Sequence, residues 1–403
     1  MTRGEVRALR PGRWRRRLGR LVLVLAVLLL AGAVAFVTVA PFRAAVRTVA
    51  LIPELLDLPV KPLSALIPEP QRVSASYGEP RPERIDIYLP SGADADRSRP
   101  AVLLALGVHP LPLDHPAVVR VARAIARLGM VVGVPESAQM RDSRVTEEEP
   151  GRLAEAFLVM ADRPEVDSAR AGMAGFSAGA SLALVAAAEP RVVERVAYVN
   201  AFGGYGDAET LLVDTATRTT LEEGEIRPWQ PDEVARRRLT EVLLFGIEPP
   251  QEQARLRAEL EPVISADERP ADAFDPAFAA TLGDEARTVY EVVTAADRSD
   301  AEAAIAGAPE SVRRHLAAIS PVTVAGRIQA SVFLMHDEGD QAIPVAHLDV
   351  LEGVLPEGAV HRATVFRLFE HVQPDAAGIG LDDTPELWKL FVHLQDLLDL
   401  AAS

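Results

Sequence analysis

Two uninterrupted aliphatic runs, Ala101–Leu106 (AVLLAL) and Met130–Val134 (MVVGV), constrain this chain most. Neither alternates with polar residues, so each suits a strand covered on both faces, as in a parallel sheet between helical layers. The segment between them, Ala117–Leu128, has helical spacing with charge on one side, which makes a βα repeat the natural unit. Ile85–Leu89 alternates like an outer strand and ends at the turn Pro90-Ser91-Gly92. Further short strands are predicted at Ala171–Ala174, Val196–Asn200, Val332–Met335 and Ala363–Phe369. Helices are predicted at Arg152–Met160, Ala180–Ala188 and Glu386–Leu400. The alternation predicts an α/β domain over residues 72–401 with a mostly parallel central sheet flanked by helices. It lapses once. Between Phe202 and Ser320 no strand-like run occurs, but Asp232–Phe245, Gln251–Ile264 and Ala301–Ile319 are helical in spacing, so a helical insertion is expected at about 203–318. Its charged stretch Glu222–Pro276 suits either solvated helix faces or a lid over a substrate.

The chain has 403 residues, 49% hydrophobic and 25% charged, which is ordinary for a globular protein and leaves ample length for a core. The net charge of −16 argues against nucleic acid as a partner, yet residues 1–20 hold eight Arg and one Glu. Behind this basic tail, Leu21–Phe42 contains no charge, and at 1.5 Å per residue it spans about 33 Å, enough for the hydrocarbon core of a bilayer. The flanking arginines orient such a transmembrane helix with the N-terminus cytoplasmic and the rest outside. A cleaved signal peptide is the competing reading, disfavoured by the length of the apolar run and by Pro41 after the best cleavage site. Residues 43–71 form an apolar connector broken by Pro53, Pro59, Pro62, Pro68 and Pro70, for which short helices packed on the domain are preferred over helices lying on the membrane.

There is no cysteine, which removes disulfides, thiolate metal sites and a cysteine nucleophile together. No HExxH occurs, and neither metal nor cofactor is expected. Gly175-Phe176-Ser177-Ala178-Gly179 is a G-x-S-x-G pattern, which follows a short apolar strand and opens a helix of small residues, the context such a nucleophile turn requires. A serine hydroxyl needs a base within hydrogen-bond reach and a carboxylate to orient that base. His371 follows the last predicted strand and Asp340 follows the strand before it, both where strand C-termini deliver active-site groups. Of the eight histidines, His315 and His393 fall within helices, His336, His347 and His361 sit in local structural positions, and His109 and His115 precede the serine. Asp337 and Glu338 are near alternatives for the acid. Oxyanion donors are expected from the backbone N–H groups of Ala178 and of Val108, in the loop after the first buried strand.

These features together resemble the α/β-hydrolase family, in particular its dienelactone-hydrolase-like and esterase-like branches. The resemblance runs through Ile87-Tyr88-Leu89-Pro90, Leu106-Gly107, Val166-Asp167-Ser168, Gly175–Gly179, Ile319-Ser320-Pro321, the Asp340 turn and His371. It implies a serine hydrolase working through an acyl-enzyme, with a lid inserted after the sixth strand. Dienelactone hydrolases carry a cysteine nucleophile that this chain lacks. The family's His-Gly before the oxyanion loop is Leu106-Gly107 here, and its Gly after the histidine of the acid turn is Asp337. A membrane-anchored carboxylic-ester hydrolase taking a small-molecule ester or lipid-like substrate is the leading expectation. An acyltransferase with the same triad and a catalytically silent interaction module remain open, as does the oligomeric state.

Overall fold

The computed structural model describes Val24, Leu28 and residues 30–108, 112–244, 247, 249–270, 273–374 and 380–402. The two-sided aliphatic runs lie at the centre of one eight-stranded sheet. In chain order its members are β1 (Gln71–Tyr77), β2 (Glu83–Leu89), β3 (Arg99–Ala105), β4 (Val131–Pro135), β5 (Val166–Phe176) and β6 (Tyr198–Phe202). Two hairpin strands outside this sheet follow, β7 (Thr219–Glu222) and β8 (Glu225–Pro228), and the sheet resumes with β9 (Ser331–Asp337) and β10 (Val360–Phe366). A final two-residue pair, β11 (Phe369–Glu370) and β12 (Gln373–Pro374), ends the series.

The spatial order is β1-β2-β4-β3-β5-β6-β9-β10, with β2 antiparallel to both neighbours and every pairing from β4 to β10 parallel. This order, with helical crossovers on both faces, is the α/β-hydrolase fold. Close packing at its centre depends on small residues. A Cβ at Gly172 would lie 2.6 Å from the Tyr198 ring, and every residue of the helix Ala178–Ala187 is buried.

Several expectations change. Strand β1 escapes the periodicity argument because it is a polar edge strand, in which Ser74 and Arg72 both donate to the buried carboxylate of Asp86 on β2. The stretch read as free of strands contains the β7–β8 hairpin, whose turn places Glu223 at φ 51° and Gly224 at φ 83°, the positive pair a tight hairpin needs. Helices at Ala208–Thr217 and Asp284–Thr294 are additional, and the helix expected over 301–319 is two, Arg298–Ala306 and Glu310–Ala318, split at Gly307-Ala308-Pro309. The last sheet strand ends at Phe366 rather than Phe369.

The segment between β6 and β9 has a core of its own, in which Leu244, Leu256, Leu260, Ala286 and Tyr290 are buried together. Arginines close it. Arg218 donates to the carbonyls of Val263 and Ala266 at 3.2 and 2.7 Å, and buried Arg236 to Ile264 at 2.8 Å, so both satisfy the C-terminal end of the helix Pro250–Ser265.

At the N-terminus, residues 1–23, 25–27 and 29 lie outside the described residues. The apolar run expected as one straight span to Phe42 breaks at Val39. Leu30–Thr38 and Ala40–Leu55 are separate helices bent by 108°, and among the described residues no single helix is long and apolar enough to cross a membrane. Val39 is extended and Pro41 falls in the first turn of the second helix, where a missing N–H is tolerated but continuation of the preceding helix is not. The second helix packs on the domain, with Ala44 and Leu51 in one core cluster with Leu63, Leu398 and Ala401.

Candidate active site

The turn after β5 carries the serine. Ser177 adopts φ 55°, ψ −137°, a conformation costly for a residue with a side chain, and sits between β5 and the helix Ala178–Ala187. Its surroundings enforce the strain: a Cβ on Gly175 would come within 2.4 Å of Ala180 Cα, and one on Gly179 within 2.4 Å of the Ala105 carbonyl. No other residue fits either position. The Ser177 N–H donates to the Phe202 carbonyl at 2.8 Å, fixing the turn to the end of β6. Phe176 packs against Phe202, which is edge-on to Phe369 at 4.9 Å.

Beyond β9 the chain makes the acid turn. Asp340 is buried, and its Oδ1 accepts the N–H groups of Ala342 and Ile343 at 2.7 and 3.0 Å. Its Oδ2 accepts from His371 Nδ1 at 2.6 Å. Burial opposes ionisation of Asp340, but bonds and charge from His336 and His371 outweigh it and hold the carboxyl well below the usual range. The bond to an ionised acceptor puts the His371 proton on Nδ1 and leaves Nε2 with its lone pair free.

His371 does not follow the last strand of the main sheet directly. It occupies the turn between β11 and β12 at φ 58°, five residues beyond β10. Asp337 holds this hairpin in place. Its Oδ2 accepts from Leu368 N and Phe369 N at 3.0 and 2.9 Å, and its Oδ1 from Gly339 N at 2.9 Å. Burial raises the Asp337 carboxyl above its ordinary range although these backbone donors pull it down. Asp337 therefore ties the hairpin that carries His371 to the turn that carries Asp340. Gly203, at φ 63°, lies beneath the His371 ring, since a Cβ there would be 3.3 Å from Cε1.

The loop after β3 closes over the serine. A Cβ on Gly107 would lie 2.8 Å from Ser177 Cβ and 3.3 Å from Oγ. Among the described residues, no acceptor is bonded to the N–H of Val108 or of Ala178. Val108, Ser177, Ala178 and His371 all open onto one cavity of about 1440 Å³. The insertion supplies an apolar wall through Leu211, Leu239, Val242, Leu243 and Val289, while Arg81, Arg152 and Glu148 line a charged part. The insertion is also bonded to the acid turn, with Trp229 Nε1 donating to the Asp340 carbonyl at 2.9 Å and Asp232 N to the Gln341 carbonyl at 3.0 Å.

The remaining histidines fall into place. His336 Nε2 donates to the Ile343 carbonyl at 2.8 Å and lies 3.4 Å from Asp340 Oδ2, so it braces the acid turn from inside. His393 bonds Asn200 and Thr364 in the core, where burial lowers it to about 3. His347 accepts from Gly206 N at 3.2 Å. His315 lines the cavity, His361 stacks near Phe333, and His115 caps the helix Pro116–Arg127. His109 lies outside the described residues. Glu338 is an exposed partner of Arg367, away from the triad geometry. Among the described residues no group of acidic and histidine side chains is arranged to hold a metal ion.

No protein-family model and no curated protein matches the chain. Solved structures of hydrolases align with most of the chain. Puromycin hydrolase does so with a TM-score of 0.49 and 17% identity over 85% of this chain and 40% of its own. A puromycin-hydrolyzing peptidase from Mycobacterium tuberculosis gives 0.48 and 14% over 82% and 38%. The 2,6-dihydroxy-pseudo-oxynicotine hydrolase gives 0.45 and 14% over 82% and 68%. The chain thus spans about two-fifths of the length of the first two.

Proposed function

We propose that the protein is a serine hydrolase that cleaves carboxylic esters through an acyl-enzyme, in the manner of the esterase-like branch its motifs resemble. One observation carries this: a serine held in a strained strand-to-helix turn shares a cavity with a histidine whose Nδ1 is bonded at 2.6 Å to a buried aspartate. Ser177 Oγ attacks the ester carbonyl carbon while its proton passes to His371 Nε2, and Asp340 stabilises the imidazolium. The oxyanion takes N–H bonds from Ala178, at the positive end of its helix, and from Val108. As the tetrahedral centre collapses, the ester's C–O bond breaks, His371 returns the proton to the departing alkoxide, and the acyl group stays on Ser177. Water then attacks the acyl carbon while its proton passes to His371, and as the second tetrahedral centre collapses the bond from the acyl carbon to Ser177 Oγ breaks, His371 returns the proton to Oγ and the carboxylic acid is released. No cofactor takes part in this scheme.

The cavity exceeds the several hundred Å³ usual for a small-molecule site. Its apolar wall and charged part suit an amphiphilic, lipid-like ester, and the insertion serves as the lid over it. The basic tail and the apolar segment behind it support a membrane-anchored enzyme with its catalytic domain outside the cytoplasm. Turnover of p-nitrophenyl esters from two to sixteen carbons tests the reading. Hydrolysis is expected, with Ser177→Ala slower by on the order of 10⁴-fold or more. Cleavage of peptide p-nitroanilides with no ester turned over would replace the ester by an amide. Failure to turn over any substrate would favour the silent module.

A further inference from the structure

The helix Ala40–Leu55 presents two opposite faces. Ala44, Thr48 and Leu51 recur at i, i+4 and i+7 and are buried on the domain. Phe42, Val46 and Val49 repeat that spacing on the other side, where they are 41%, 41% and 62% exposed. The inner face already fixes the helix: Ala44 shares a cluster with Leu398 and Ala401, while Leu56, just past its end, shares one with Leu390, so it runs antiparallel to the helix Thr384–Ala402. The outer stripe has no part in that packing.

Three exposed apolar side chains on a surface helix would be unremarkable alone. What singles them out is where they begin. The helix Leu30–Thr38 is separated from Ala40 by Val39 alone, is uncharged, and exposes Leu30, Val34 and Val37 by 67%, 53% and 72%. The two helices meet at 108°, so if the first enters a bilayer along its normal, the second lies within about 20° of the membrane plane. Arg43 on the same helix donates to the Val37 carbonyl at the junction of the two helices, and the antiparallel partner exposes Trp388 by 64%, a residue suited to the headgroup level.

We propose that Ala40–Leu55 is an interfacial helix, with Phe42, Val46 and Val49 seated at the headgroup and acyl boundary of a lipid bilayer and the opposite face gripping the catalytic domain. The domain then rides on the membrane in one orientation instead of swinging on a tether. This rests on the reading that the preceding apolar segment is a membrane anchor, and the two can fail separately.

The native chain has no cysteine, so Val34→Cys and Val49→Cys each give the full-length protein one attachment point for an environment-sensitive fluorophore. Both labelled proteins are reconstituted into phosphatidylcholine and phosphatidylglycerol vesicles, and retained native structure is checked by their circular dichroism. Spin-labelled lipid is expected to quench both sites, residue 34 from probes deep in the acyl region and residue 49 from probes near the headgroups, with iodide excluded from both. Quenching at 34 but free access of iodide at 49 leaves the anchor standing and overturns the interfacial helix. No lipid quenching at either site overturns the anchor as well. A disulfide-linked dimer of unlabelled Val49→Cys protein in vesicles, without lipid quenching at 49, would assign the stripe to a second copy of the chain and likewise overturn the proposal.

Discussion

The strand-end site and the inserted segment over it are held by different means. Around Ser177, Asp340 and His371 nearly every contact is directional: backbone N–H groups onto carboxylates, glycines that no other residue can replace, and a serine kept in a strained conformation. In the insertion the cavity wall is aliphatic, and rigidity comes from a separate core and arginine caps behind it. The first arrangement fixes the positions of individual atoms, which the proposed bond making requires. The second fixes a shape and an apolar surface, which can sort substrates without touching the reacting bond. Trp229 and Asp232 are the stitches between them.

That contrast can be broken by substitutions on each side. Asp340→Asn should lower kcat by on the order of 10⁴-fold, because an amide can present its N–H to His371 and favour the wrong tautomer. Steady-state kinetics with a short ester checks this, and a loss below tenfold would remove Asp340 from its role.

Glu149 tests whether the core away from the triad behaves independently. It is buried beneath Ser137, and burial first, then the nearby Glu83 and Glu148, raise it to about 7, against a bond from Ser137 and the charge of Arg152. A carboxyl raised on folding holds its proton more tightly in the native state, so stability is greatest below its unfolded pKa and is lost as pH climbs from about 4.5 to about 7. Glu149→Gln should abolish that decline, gaining at most about 3 kcal/mol at pH 8. Urea unfolding at pH 5 and pH 8 measures it, and an unchanged pH dependence would reject the assignment.

His336→Ala should reduce kcat by about 10- to 100-fold with KM little changed, since it loosens the acid turn without touching substrate. Leu239→Ser, on the apolar wall, should have the smallest effect. It is expected to lower kcat/KM for long-chain esters by about tenfold while leaving the acetyl ester nearly unaffected. Equal losses on both esters would erase the division between chemistry and sorting.

Where side-chain pattern alone determines structure, the sequence was legible. Strands buried on both faces, the serine turn and its helix of small residues all show as composition at fixed spacing, so β3, β4 and the turn at Ser177 could be read directly, whereas only the apolar centre of β5, Ala171–Ala174, could be read of a strand that runs Val166–Phe176. Asp340 and His371 could be singled out from the sequence and the structure brings them to 2.6 Å, but the geometry that presents them was not legible. The sequence spacing suggested a strand ending beside His371, whereas a two-strand turn pinned by Asp337 presents it. Such long-range bonds between a carboxylate and backbone N–H groups some 30 residues away leave no periodic trace. The hairpin Thr219–Pro228 was hidden for another reason: its turn is Glu223-Gly224 among charged neighbours that resemble a solvated helix. At the N-terminus hydropathy showed one continuous apolar run and could not show the break at Val39, before Pro41.

The most direct test of the account is covalent. The intact protein is treated with a fluorophosphonate, digested, and the modified peptide identified by mass spectrometry. A single adduct on Ser177, lost in Ser177→Ala and strongly slowed in Asp340→Asn, is the expected result. An adduct that persists in Ser177→Ala, or none at all on natively folded protein, would contradict the nucleophile on which the proposed chemistry stands.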